Sequence, residues 1–274
     1  QYILSTNGNL YAVGRNNKGQ LGQGNITTLL TWAAVKDSSG AGILSNIIQL
    51  TSNNPFSFGV YSVGVLTSDN TVFLWGANDQ NMAGSTGGSV LLPRIPDNFN
   101  VSHAKVSYLK MGGHTTLTFL KGTNKFCYIG HKIRGSMGEG TIPSFSVPSF
   151  DCYNTPEEYI CPAPNKFCVS PSSNDLVATA NHAVVLINDF PSFTYWGENT
   201  SSYLTPGLNE LAPQSLFEWN GIPRGVAAGS IGTTLEASNS QMWALTTEGL
   251  WGWGYSANTV SNATLGNVVN TFVN

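Results

Sequence analysis

GNLYAVGRNNKGQLGQG, residues 8–24, is an alternating apolar/polar run that stops at Gly14 and gives way to a turn rich in Asn and Gly. The pattern returns as NTVFLWGANDQNMAGSTGG (70–88), NKFCYIGHKIRGSMGEG (124–140), SFTYWGENTSSYLTPG (192–207) and GLWGWGYSANTVSNATLG (249–266). Self-similarity at roughly 55 to 70 residues, with room for several short strands per unit, is the signature of a radially repeated β architecture. Aligning the copies on Gly14, Gly76, Gly130, Gly197 and Gly254 stacks Asn16, Asn78 and Asn199 in one column and Leu21, Ala83, Met137 and Leu204 in another. An Asn two residues beyond a strand can turn its amide onto the loop backbone, and Gly accepts positive φ there. A residue type that returns in different copies shapes a turn; it does not build a single active site.

A second element trails each turn. It is cleanest in MGGHTTLTFLKG (111–122) and recognisable in ATANHAVVLIND (178–189), with weaker forms at 59–70 and 241–249. Small residues precede a His or its stand-in, then a strand follows. Small side chains let strands crowd where repeats converge on an axis. His114 and His182 share this column and are read as packed near that axis.

The paired motifs, aromatic-Gly-x-Asn-x-x-Gly-Gln-Leu-Gly-x-Gly and then Gly-Gly-x-His-x-x-x-Leu, resemble the repeat of the regulator of chromosome condensation family. Residues 12–24 and 111–120 carry the match, the other copies are degraded, and the resemblance spans essentially the whole chain. It implies an all-β propeller with blades of about four strands. Family members range from a guanine-nucleotide exchange factor for a small nuclear GTPase to extracellular binding propellers, so the fold alone leaves the job open. Five copies favour five blades, with six or seven left open. One domain over 1–274 is expected, with an insertion rich in Cys and Pro at about 141–174. QYILSTNG resembles the strand that follows the His element, so Tyr2–Ser5 are expected to complete the blade begun at Gly249 and close the ring. Insertion of that strand into a neighbouring molecule is the alternative.

Charged residues make up 10% of the chain and the net charge is −3, with a pI near 5.8. An average soluble domain is about 25% charged. No basic footprint for nucleic acid or an anionic membrane exists, and no apolar run is long enough for a membrane span. The chain starts at Gln1, which suits either a processed secreted protein or a fragment. Cys127, Cys152, Cys161 and Cys168 fall close together, so two disulfides are expected. Of three pairings, Cys127–Cys152 with Cys161–Cys168 is preferred, because the first two can face each other across a hairpin. Free thiols and zinc are rivals, the latter lacking a Cys-x-x-Cys spacing. Sequons stand at Asn25, Asn100, Asn199 and Asn262, about as many as chance would give.

No nucleophile elbow, phosphate loop, metalloprotease helix or EF-hand pattern occurs, so no catalytic, cofactor or metal residue is assigned. Glu157 and Glu158 alternate faces if extended and make no acid–base pair. Trp75, Trp196 and Trp253, beside the column glycines, are expected between blades, with Trp251 packed as well. Trp32, Trp219 and Trp243 are also expected in seams, although one could stack on a partner. The reading that follows is a non-enzymatic propeller, extracellular or at the cell surface. Its partner is another protein or itself, in the extreme as a fibre subunit, and N-glycans are expected if a eukaryote secretes it. The competing reading is an intracellular exchange-factor-like regulator of a small GTPase.

Overall fold

The computed structural model describes residues 1–53, 61–97, 99, 106–112, 115–120, 126–132, 145–152, 176–179, 183–189, 192–197, 210–216, 231–237, 241–246, 249–255 and 268–273. Apart from a short 3-10 turn at Asp79–Asn81, their regular elements are strands arranged in five antiparallel sheets. The first holds β1 (Tyr2–Leu4), β2 (Leu10–Gly14) and β3 (Leu29–Ala34). The second holds β4 (Ile47–Ser52), β5 (Ser62–Thr67), β6 (Val72–Gly76) and β7 (Val90–Arg94). The third runs through β8 (Val106–Met111), β9 (Thr115–Leu120), β10 (Phe126–Lys132) and β11 (Phe145–Cys152). The fourth comprises β12 (Leu176–Thr179), β13 (Ala183–Asp189), β14 (Ser192–Gly197) and β15 (Glu210–Leu216). The fifth comprises β16 (Ile231–Ala237), β17 (Gln241–Thr246), β18 (Gly249–Tyr255) and β19 (Val268–Val273). Each is a meander in chain order. One unit of the chain spans Gln1–His131 with Phe145–Tyr153, and a second spans Lys132–Ser144 with Asn154–Asn274.

Gly14, Gly76 and Gly197 end β2, β6 and β14, whereas Gly130 and Gly254 lie just short of the ends of β10 and β18. Gly76 has φ +102°, and a Cβ there would lie 2.3 Å from the Tyr61 carbonyl oxygen, so no other residue fits without moving the chain. Just before Gly14, Gly76 and Gly197 the pairing with the outer strand slips register, between Ala12 and Gly14, Leu74 and Gly76, and Tyr195 and Gly197. The irregularity bends the strand into the turn that follows.

In the first unit the sheets pack through two apolar layers. Leu10, Ala12 and Val35 of the first sheet meet Val63, Val65 and Trp75 of the second. On the other side Leu66, Val72 and Leu74 meet Leu109, Cys127 and Ile129 of the third. Gly64 is small because Leu109 and Met111 of the next sheet press against it: a Cβ would sit 3.1 Å and 3.2 Å from their side chains. Gln49 on β4 then uses its amide as a short strand, donating to the Leu109 carbonyl at 2.8 Å and accepting its N–H at 3.0 Å. Side-chain amides thus do between sheets what the backbone does within them.

The termini differ from the sequence expectation. Tyr2–Leu4 pairs with Leu10–Ala12, while the strand that starts at Gly249 pairs with β17 on one side and β19 on the other. The tail Val268–Val273 is a strand in its own right and supplies the fourth member of that sheet.

Candidate functional site

The first seam of the repeat, where the turn after β2 meets the second sheet, is built on a buried amide. Asn16 is fully buried; its Oδ1 accepts the Leu21 N–H at 2.8 Å and its Nδ2 donates to the Asn25 carbonyl at 2.9 Å. Asn78 repeats the arrangement one sheet on, accepting from Ala83 N–H at 2.9 Å and donating to the Ser85 carbonyl at 2.7 Å. Both close their turns with the same two-point grip. Asn199 lies outside the described residues.

Held this way, the first turn points the Gln20 carbonyl into the seam, where two donors converge on it. The Tyr2 hydroxyl arrives from β1 at 2.7 Å and the Trp75 indole N–H from β6 at 2.7 Å. Burial pushes the Tyr2 phenol well above the usual tyrosine range, so it stays a neutral donor. The carbonyl has two lone pairs, and both are used.

Beside this node a cleft of about 300 Å³ opens, lined by Tyr2, Arg15, Gln20, Ser52, Asn53 and Tyr61 among others. Arg15 follows the column glycine and is exposed; Tyr61 and Ser52 lie across from it. Among the described residues no carboxylate lines the cleft. The ion pair of Arg94 with Asp97 lies elsewhere and is half exposed. A guanidinium, a phenol and amides around an open cleft suit polar recognition. Among the described residues no group of three His, Cys, Asp or Glu could hold a metal ion.

Sequence reasoning missed this cleft and found the turns. Of the other singled-out residues, Trp75 is fully buried between the sheets, whereas Trp32 is 44% exposed. Trp32 stands on β3, the outer edge of its sheet, where no further strand pairs with it among the described residues. Trp196 lies on β14, Trp243 on β17, and Trp251 and Trp253 on β18. Cys127 is buried on β10 and disulfide-bonded. Cys152 closes β11, the neighbour of β10. Cys161, Cys168, His114, His182, Trp219, Glu157, Glu158, Asn100 and Asn262 lie outside the described residues, as does most of the 141–174 insertion.

The chain matches no family model and no curated protein sequence. Its structure does find matches. It superposes on yeast RCC1 (Prp20) crystallised with Kap60 at a TM-score of 0.68 with 17% identity, covering 97% of this chain and 56% of that one. The fold is that of an RCC1-type repeat β-propeller. Prp20p from Saccharomyces cerevisiae, described by its binding to Gsp1p and histones, matches this RCC1-type chain at 0.67 with 18% identity, covering 99% and 60%. Human WBSCR16 matches at 0.64 with 16% identity, covering 97% and 65%. The chain spans little more than half of the first of these structures and under two thirds of the others.

These matches overturn the extracellular reading. The RCC1-type structures that carry this architecture are described by binding Kap60, or Gsp1p and histones, and not as secreted or fibre-forming proteins. The secreted glycoprotein is corrected accordingly. Asn25 is exposed; its Oδ1 accepts the Thr27 N–H at 2.9 Å and its carbonyl accepts from Asn16 Nδ2.

Proposed function

We propose that this chain is an intracellular, non-catalytic propeller that binds a small GTPase and regulates its nucleotide state. The observation that carries the reading is the match to Prp20p along 99% of the chain, because that protein is described by its binding to Gsp1p. The surface offered to the GTPase includes the cleft beside Gln20, with Arg15 and Tyr61 at its rim. A rigid scaffold that displays loop residues is how propellers bind. In this reading residues 1–274 form one propeller with five blades, one per sheet, and the 141–174 insertion stands on a rim. The column residues Gly14, Asn16, Gly76 and Asn78 keep the structural role of shaping turns.

The test is release of a fluorescent guanine nucleotide from purified small GTPases of the host, together with binding to their nucleotide-free forms. The reading expects a stable complex with at least one nucleotide-free GTPase and faster release from it. No complex with any of them, loaded or empty, would refute it.

A further inference from the structure

We infer that Asn7 is a site of spontaneous covalent modification, at which the Gly8 backbone nitrogen attacks the Asn7 side chain, ammonia leaves, and an aspartate or isoaspartate remains in the turn between β1 and β2. Ring closure requires the following nitrogen to reach the side-chain carbonyl carbon, and any side chain on that following residue stands in the way. Gly8 has none. Among the described residues Asn7 is the one asparagine followed by glycine; Asn220–Gly221 repeats the pair outside them. Asn9, Asn17 and Asn25 precede Leu10, Lys18 and Ile26, and Asn16 and Asn78 are buried with both amide atoms bonded.

The turn favours the reaction. Asn7 is exposed, so water reaches it. The Ser5 hydroxyl, which accepts the Asn9 N–H at 3.1 Å, donates to Asn7 Oδ1, the oxygen that takes up negative charge as the nitrogen attacks. A donor therefore already stands at the developing oxyanion. Gly8 N–H is held by the Ser5 carbonyl at 2.9 Å and has to leave it first. Little restrains that opening, because β1 is three residues long and each is exposed or half-buried.

No oxidant or reductant is needed. The Gly8 nitrogen loses its proton to solvent and bonds to Asn7 Cγ; the amide C–N bond breaks, ammonia departs with a proton from water, and a succinimide remains. Water then opens the ring at either carbonyl. Attack at Cγ gives an aspartate at position 7, and attack at the main-chain carbonyl carbon gives isoaspartate, whose backbone runs through Cβ and Cγ. The second product lengthens a turn that has no slack. The Gly8 carbonyl accepts the Ile47 N–H at 3.0 Å, and even a Cβ on Gly8 would lie 3.1 Å from that nitrogen. Isoaspartate thus releases the clasp between this turn and β4, and loosens the strand that carries Tyr2 to the Gln20 carbonyl. An aspartate keeps the chain length and the clasp.

The test is incubation of the full chain at mildly alkaline pH over days, with peptide mass spectrometry that uses electron-transfer fragmentation to separate isoaspartate from aspartate. Position 7 should convert at least about tenfold faster than Asn9, Asn17 or Asn25, a barrier difference of about 1.4 kcal/mol. Asn7→Gln should remove the conversion. By hydrogen exchange the isoaspartate fraction should lose protection at the Ile47 amide, whereas Asn7→Asp should retain it. Asparagine that persists at position 7 overturns the inference, and conversion of the same chain in urea would assign the protection to the turn. Conversion at Asn9, Asn17 or Asn25 that keeps pace overturns it equally, as does an isoaspartate fraction whose Ile47 amide exchanges as slowly as in the wild type.

Discussion

Replacing Asn78 by Ala isolates what the turn column contributes. The side chain is 5% exposed, its Oδ1 accepts from Ala83 N–H at 2.9 Å, and its Nδ2 donates to the Ser85 carbonyl at 2.7 Å. Ala83 is fully buried and Ser85 is 4% exposed, so truncation leaves one buried donor and one buried acceptor without partners. Each costs about 1–3 kcal/mol. The weaker Nδ2 contacts to Ser85 Oγ and the Gly87 carbonyl, both at 3.2 Å, add little. A loss of about 3 kcal/mol, roughly 150-fold in the folding equilibrium, is expected. With a urea slope of about 2 kcal/mol/M the midpoint falls by about 1.5 M. Thr28→Ala, on the exposed approach to β3, should stay within about 0.5 kcal/mol of the wild type. Hydrogen exchange gives the residue-level readout, because Ala83 is the amide that loses its acceptor. If the variant loses under about 1 kcal/mol and Ala83 remains protected, the column does not hold its turn and the physical account of the repeat fails.

Two further perturbations address the seam. Gly19→Ala forces a side chain into φ +74° with its Cβ 2.9 Å from the Leu91 Cα, so the loss should be about 2 kcal/mol or more; a neutral result in urea unfolding would show that the turn does not press on β7. Because burial raises the Tyr2 phenol in the folded state, its contribution is fully present below about pH 10, the ordinary tyrosine value, and drains away as pH rises beyond it. Tyr2→Phe should flatten that alkaline limb while costing about 1 kcal/mol at neutral pH for the lost bond to Gln20. Unchanged alkaline unfolding in this variant would count against the buried node.

Much of the fold was legible because the repeat states its own constraints. Gly14 and Gly76 end strands at the same point of successive sheets, and Asn16 and Asn78 grip their turns alike, as a shared column requires. The tail was harder. Val268–Val273 is short and no His element follows it, so nothing local separates a fourth strand from a loop, and the end strand was assigned to Tyr2–Ser5 instead. Trp32 was misplaced for a related reason. A Trp outside the glycine column says only that area must be covered, and the two-residue period cannot say whether a strand is flanked on both sides. The cleft was illegible, since Tyr2, Arg15, Ser52 and Tyr61 come from separate stretches that only the packing of two sheets brings together.

The location was misread because composition was asked a question it does not answer. Sparse charge and clustered cysteines describe a surface and a few side chains; Cys127, for one, packs into the core with Leu109 and Ile129. A repeat protein separates its signals more sharply than that. What recurs from copy to copy builds the sheet and its turn, so it is informative about architecture and silent about partners. What departs from the copies at an exposed position is the opposite. Arg15 stands where the other copies have Ala77, His131, Glu198 and Tyr255. Arg15 is not required by the repeat, and it gives the first sheet a guanidinium that its sisters lack at that position. A guanidinium beside an open cleft is a recognition feature, so the rim around Arg15 is where substitutions should alter binding while sparing the fold.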